Sequence, residues 1–174
     1  IDKALVVLSV NGAGVTIVRG NLDPATNGPT AIRCAWMTNN AVLSGFTLRD
    51  GATRAYNGPI SDYVNGGGVW GASTNALLSN CVIATNSASN SGGGAYRVSM
   101  SRCDLIGNIA ITGSSGGPGA AGGGAIASVL NNCKILNNFA TDGGGTFTCV
   151  ANNFALICNI STRFGTGAYR GRLL

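Results

Sequence analysis

Six cysteines and six aspartates are the side chains of this 174-residue chain that could carry nucleophilic, metal-binding or acid–base chemistry. Cys81, Cys103 and Cys133 occupy the same slot of a repeated segment, whereas Cys34, Cys149 and Cys158 do not. An even number of cysteines suggests a disulfide framework. In-register neighbours come within the Cα range of a disulfide. Their side chains point the same way, however, so a bridge would strain the S–S dihedral. Zinc needs convergent ligands, and the chain has neither a CxxC pair nor a histidine. Free cysteine packs as a small apolar residue. The expectation is a buried column of free thiols, with Cys158 on an outward phase.

The acids are Asp2, Asp23, Asp50, Asp62, Asp104 and Asp142, with no Glu and no His. Imidazole general acid–base catalysis, a Ser–His–Asp triad and paired glutamates are therefore excluded. Asp50 and Asp142 are expected in turns and Asp62 in an insertion, Tyr56–Val64, that also holds two tyrosines. Asp104 stands alone on its column. No two aspartates share a column on adjacent repeats, so the several oxygens of a calcium site are not supplied. No GxxxxGK[ST] loop occurs. No catalytic residue, cofactor or metal is expected.

The net charge is +5, but its arginines are dispersed, which disfavours a nucleic-acid surface. Apolar runs such as Ala4–Leu8 are far too short to span a membrane. Asp2 and Lys3 precede a short strand-like run, so no secretory leader is expected in these residues. Asn159-Ile160-Ser161 matches a glycosylation sequon.

The elements that position these residues follow from a repeat. Four segments superimpose without gaps: Leu78–Asn86, Met100–Asn108, Leu130–Asn138 and Ala151–Asn159. Leu43–Gly51 is a cousin in which Gly51 replaces the final Asn. A glycine triplet and an apolar pair recur between them: Gly66–Gly68 with Val69-Trp70, Gly92–Gly94 with Ala95-Tyr96, Gly122–Gly124 with Ala125-Ile126, and Gly143–Gly145 with Thr146-Phe147. Cys81 to Cys103 spans 22 residues and Cys133 to Phe154 spans 21. Longer spacings elsewhere place insertions at Tyr56–Asn65 and Thr112–Ala121.

Alternation of Cys81 and Ile83 with Val82, and the same pattern in the other repeats, is a strand period. A step of three before the Cys slot predicts a bend between two short strands. The whole chain, 1–174, reads as one all-β domain: a single-stranded parallel β-helix (solenoid) of about six to seven rungs. Residues 1–50 are its less regular rungs, 66–159 its regular ones and 160–174 an edge segment. Ala4–Val10, Val15–Arg19, Ala31–Cys34 and Ala41–Leu48 are predicted strands of the irregular part. Phe46, Cys81, Cys103, Cys133 and Phe154 form one inward column. Leu48, Ile83, Leu105, Ile135 and Leu156 form another. Thr47, Val82, Asp104, Lys134 and Ala155 form an outward column, not the threonine array of an ice-binding face, and Asp104 and Lys134 pair across it. Asn86, Asn108, Asn138 and Asn159 form an amide ladder at a turn, where Asn also tolerates a left-handed backbone. The glycine triplets supply positive φ or room at corners.

These units resemble right-handed parallel β-helix proteins of the pectin-lyase-like superfamily, and in particular glycine-rich bacterial surface proteins with polymorphic outer membrane protein repeats. Gly123-Gly124-Ala125-Ile126 matches the GGA[ILV] element of those repeats. Ile83, Leu105, Ile135 and Leu156, each three residues before an Asn, replace the Phe of FxxN. The resemblance implies right-handedness and an extracellular or cell-surface role in adhesion or structure. The expected function is a non-catalytic surface module. Its ends, with Ile1, Leu5, Val7, Phe164, Tyr169 and Leu173, would join either the rest of a longer surface protein or further copies in a filament. The alternative is a carbohydrate-binding or polysaccharide-cleaving β-helix, with glycans as partners.

Overall fold

Short strands that alternate between core and solvent, separated by single residues of positive φ, build parallel sheets in a computed structural model. It describes residues 1–23, 27–55, 62–111 and 120–174. The parts of both insertions at 56–61 and 112–119 lie outside the described residues. The protein is all-β, with one short 3-10 turn among the described residues, Asp62–Val64. Among the described residues no helix is long and apolar enough to cross a membrane.

The first sheet holds two columns of strands. One contains Val6–Leu8, Val42–Ser44, Leu77–Ser79 and Ser99–Ser101; the other contains Ile17–Arg19, Thr47–Arg49, Val82–Ala84 and Asp104–Ile106. The two columns merge in the long strands Val129–Leu136 and Val150–Ile157, and Arg172–Leu173 ends the sheet. A second sheet contains Ala35–Met37, Val69–Gly71, Ala95–Tyr96, Ala125–Ile126, Thr146–Phe147 and Ala168–Tyr169. A third contains Ser87–Ala88, Ile109–Ala110, Phe139–Asp142 and Ile160–Phe164. Every pairing between these strands is parallel, each strand bonding to its equivalent in the neighbouring repeat.

The bend inside each repeat is a single left-handed residue. Gly45, Asn80, Arg102, Asn132 and Asn153 take φ values between 47° and 80°, which turn the chain between the two columns of the first sheet. Alternation then buries every second residue. Leu48, Ile83, Leu105 and Ile135 are all 0% exposed. At about 1.5–3 kcal/mol for each fully buried aliphatic side chain, this column alone is a large driving force. The outward neighbours Thr47, Val82, Asp104, Lys134 and Ala155 lie in register along the same strands.

Several local expectations need correction. Strands at the start of the chain are shorter than predicted, Val6–Leu8 and Ile17–Arg19. The predicted strand at Ala31–Cys34 falls instead at Ala35–Met37, because Ile32 bridges back to Asn21 in an antiparallel pair. Ala41–Leu48 divides at Gly45 into two strands. Asp142 ends a strand of the third sheet and does not lie in a turn. Asp104 and Lys134 are register partners, yet they form no ion pair.

Candidate functional site

The corner between the first and third sheets is built from the asparagines. Asn86 Nδ2 donates to Asn108 Oδ1 at 3.0 Å, Asn108 Nδ2 to Asn138 Oδ1 at 3.0 Å, and Asn138 Nδ2 to Asn159 Oδ1 at 2.9 Å. Each Oδ1 also accepts the backbone N–H of the preceding ladder residue, at 2.8–3.1 Å. Each Nδ2 also donates to a core-strand carbonyl, Leu48, Ile83, Leu105 and Ile135 in turn, which for Asn159 at the end of the ladder is the bond its Nδ2 makes. Gly51 takes the Asn slot of the earlier repeat, and its N–H donates to Asn86 Oδ1 at 2.8 Å. A Cβ at Gly51 would sit 2.7 Å from Cys34 Sγ, so the thiol fills the space an amide takes elsewhere.

The left-handed backbone expected of the ladder asparagines falls one residue earlier. Asp50, Thr85, Gly107, Asn137 and Cys158 carry the positive φ, and the ladder residues do not. The same holds at Asp50, before Gly51, so the left-handed residue belongs to the backbone corner itself and not to the amide that follows. Asn159, the sequon asparagine, is 8% exposed and its amide is committed to the ladder.

The three glycines of a triplet do three different things. The first has positive φ: 68° at Gly66, 66° at Gly92, 65° at Gly122 and 59° at Gly143. The second touches the corner strand, since a Cβ on Gly93 would lie 2.4 Å from the Ile109 carbonyl oxygen. The third abuts the next repeat, where a Cβ on Gly94 would lie 2.6 Å from the Gly124 oxygen and 3.0 Å from the Asn108 amide. Ladder and triplet are therefore one joint, with the amides on one wall and bare backbone on the other.

Cys81, Cys103 and Cys133 are buried, and all six cysteines are free. Their thiols donate to local carbonyls, Cys81 Sγ to Ser79 O at 3.2 Å and Cys133 Sγ to Asn131 O at 3.3 Å. Hydrogen bonding to Cys133 and Cys81, then burial, holds the Cys103 thiol far above its ordinary range. Burial pushes Cys34 and Cys149 up to about 12. Cys158 is exposed. Phe46 and Phe154 are partly buried and pack against the same core.

Two of the acids, Asp50 and Asp142, are spent on arginines. Asp50 Oδ2 lies 3.0 Å from Arg19 Nε and 3.7 Å from Arg49 Nε, and it accepts the Thr85 hydroxyl through Oδ1 at 2.8 Å. Asp142 is 5% exposed and holds Arg163 in a two-point pair, with Nε donating to Oδ1 at 2.8 Å and Nη2 to Oδ2. That hydrogen bonding lowers the Asp142 pKa against the opposing effect of burial. Among the described residues no three His, Cys, Asp or Glu side chains cluster as a metal site would require.

Of the named edge residues, Ile1 and Val7 pack partly against the core, while Leu5, Phe164 and Leu173 are about half exposed, at 50%, 48% and 47%. Tyr169 stacks on Phe164 with ring centroids 5.4 Å apart.

One assembly escaped the sequence reading. The second residue of each apolar pair lies in register along the second sheet: Trp36, Trp70, Tyr96, Ile126, Phe147 and Tyr169, of which Trp36 is half-exposed, Trp70 buried and the other four half-buried. The Trp36 and Trp70 rings stack 3.7 Å apart, and Phe147 and Tyr169 meet at 5.6 Å. Arginines attend the column. The Arg33 guanidinium lies 5.1 Å from the Trp36 centroid and that of Arg170 5.4 Å from Tyr169; Arg97 directly follows Tyr96. Burial lowers the Arg33 pKa to about 10, with Asp62 opposing the shift. Two donors here have no acceptor among the described residues, Arg33 Nη1 and Trp70 Nε1, and both atoms are buried. The signal was present in the sequence as an aromatic after three of the four glycine triplets.

Comparison with protein families, curated proteins and solved structures finds no match for this chain.

Proposed function

We propose that the chain is a right-handed, single-stranded parallel β-helix of about six to seven rungs that serves as a non-catalytic structural module outside the cell or on its surface. The observation that carries this reading is the register. Strands of all three sheets bond in parallel to their equivalents one repeat away, and the sequence between them varies only at corners and insertions. The ordered chemistry of the chain is spent on holding these repeats together: amides on amides, glycines on carbonyls, and Asp50 and Asp142 on arginines.

Such a stack exposes strand edges. Val6–Leu8 and Ile17–Arg19 carry a strand on one side only among the described residues, and Val6, Leu8 and Ile17 are 65%, 64% and 48% exposed. Unpaired apolar edges recruit further strands. The proposal is that they join more rungs, with end-to-end copies making a filament. Negative-stain microscopy of the purified chain across a concentration series tests this. Uniform filaments support it. Small monodisperse particles at every concentration refute end-to-end assembly. The alternative, a carbohydrate-binding surface, is favoured by one observation, the aromatic column of the second sheet.

A further inference from the structure

We propose that Asn11 is a self-modifying site, whose side-chain amide is lost in the folded protein to leave aspartate and isoaspartate in the loop between the two strands of the N-terminal edge. Asn-Gly pairs begin at Asn11, Asn27, Asn57 and Asn65. Asn57-Gly58 lies outside the described residues, and the structure separates the other three. Asn27 is 4% exposed; its Nδ2 donates to the Thr53 carbonyl at 2.6 Å and its Oδ1 accepts the Ser87 hydroxyl at 2.9 Å. Asn65 is also 4% exposed. Its Oδ1 accepts Asn90 Nδ2 at 2.9 Å, and the Gly66 N–H donates to Ser91 O of the next repeat at 3.0 Å. Asn11 is exposed, and its side chain makes no hydrogen bond among the described residues. Gly12 has a φ of 78°, with nothing within 4 Å of where a Cβ would stand. Its N–H is held by a side chain, Ser9 Oγ at 2.9 Å, and not by the ladder of a sheet.

The reaction consumes water alone. The Gly12 nitrogen gives its proton to hydroxide and attacks Asn11 Cγ. The Cγ–Nδ2 bond breaks, Nδ2 takes a proton from water and leaves as ammonia, and a cyclic imide closes. Water then opens the imide at either carbonyl. One product is aspartate; the other is isoaspartate, whose backbone runs through Cγ. Nothing is oxidised or reduced. The step needs a free amide, a following residue without a side chain, and a backbone that can move. Asn11 has all three, whereas attack at Asn65 would tear Gly66 from its bond to the next repeat. Loops open at little cost, and packed strands open near the cost of unfolding. The product also matters by its place. Val10 and Val15 of the same loop are 97% and 69% exposed, and the loop joins Val6–Leu8 to Ile17–Arg19. Charge protects a strand edge from pairing, and the new carboxylate supplies one. On the end-to-end reading, on which this second step rests, deamidation closes that edge as the protein ages.

The test ages the full chain at mildly alkaline pH, native and in urea, and maps its peptides by mass. Isoaspartate is read with an isoaspartyl methyltransferase and labelled S-adenosylmethionine. In native protein, conversion at Asn11 should outpace that at Asn27 and Asn65 at least roughly tenfold, because those two wait for opening. In urea the three rates should converge. No conversion at Asn11 in native protein while the urea sample converts, or native conversion as fast at Asn27 or Asn65, would overturn the modification. A native-like spread that persists in urea would also overturn it, by showing that the fold does not set the order. Sedimentation of Asn11→Asp beside the unmodified chain reads the second step. Weaker self-association of the variant supports edge closure, and equal association refutes it. No association in either sample refutes the end-to-end reading together with the closure built on it, while the modification stands or falls by mass alone.

Discussion

Replacing Asn108 by alanine removes the centre of the amide ladder, and the structure fixes what is lost. Asn108 is 0% exposed. Its Nδ2 donates to Ile83 O at 2.9 Å and to Asn138 Oδ1 at 3.0 Å, while its Oδ1 accepts Asn86 N at 3.1 Å and Asn86 Nδ2 at 3.0 Å. Alanine cannot reach any of these partners. The Asn86 N–H is left with no acceptor in a buried corner, and one Asn86 amide hydrogen and one Ile83 lone pair lose their partners as well. A buried group left unsatisfied costs about 1–3 kcal/mol, so the expected loss is about 4 kcal/mol. Asn159→Ala supplies the internal control. It removes the same kinds of bond, but Asn159 is 8% exposed at the last step of the ladder, where water can replace the amide. Its expected cost is about 1–2 kcal/mol. Equilibrium urea unfolding followed by the fluorescence of Trp36 and Trp70 and by circular dichroism reads both values, and coincidence of the two probes checks cooperativity. A loss below about 1 kcal/mol for Asn108→Ala, or equal losses at the two positions, would refute the claim that the ladder is a buried, mutually satisfied network.

Gly93→Ala should abolish soluble folding, because its Cβ would meet the Ile109 carbonyl oxygen at 2.4 Å; Gly14→Ala, with nothing within 4 Å and no positive φ, should be neutral or stabilise by about 0.5 kcal/mol. Expression and thermal melts separate the two. Thr146→Val should stabilise by about 1 kcal/mol, since the Thr146 hydroxyl is buried without a partner among the described residues and Val69 fills the equivalent slot of another repeat; a lower urea midpoint would contradict this. The lowered Asp142 pKa stabilises the fold above the carboxyl's unfolded value near 3.8, and that contribution is lost as pH falls through the folded value. Asp142→Asn should therefore flatten the acid limb of stability against pH, and an unchanged limb would exclude the pair as its source. In native protein at mildly alkaline pH, a thiol reagent should add first at exposed Cys158 and reach buried Cys81, Cys103, Cys133 and Cys149 only on unfolding; rapid adducts mapped to Cys81, Cys103 or Cys133 would show the column open.

Strand positions and inward columns were legible in the sequence wherever repeats are uniform. The spacing of Cys81, Ile83 and Asn86 from equivalents 22 residues on sets register and face at once, because a one-residue slip would turn the whole set outward. Residues 1–50 were less legible for a physical reason. Strand Ala35–Met37 is preceded by the Asn21–Ile32 bridge, and neither has a counterpart in the later repeats. The exact seat of positive φ was also hidden. Asp50, Thr85, Gly107, Asn137 and Cys158 share it without sharing a side-chain type, and Asp50 does so before Gly51, so the demand belongs to the backbone corner and leaves no residue signature of its own. The aromatic column was missed because the pairs after the triplets read simply as apolar, and the pattern does not show that their second members align in one column.

Two kinds of corner explain why this chain can be so poor in charge and still hold its register. At the asparagine joint, specificity is chemical. Each amide carries bonds to the residue before it, the residue after it and a core carbonyl, so a repeat placed out of step would strand several buried polar groups at once. At the glycine joint, specificity is steric. Gly93 and Gly94 lie so close to neighbouring carbonyls that no side chain fits, and only a neighbour offering bare backbone can approach. Surface ion pairs would add little beyond this, about 0–1 kcal/mol each. The outward positions are thereby released from holding the fold. On the second sheet, Trp36 and Trp70 stack 3.7 Å apart with Trp70 buried, while Ile126 serves the same step later in the sheet, so aromatic and aliphatic side chains can each fill this column without altering the register.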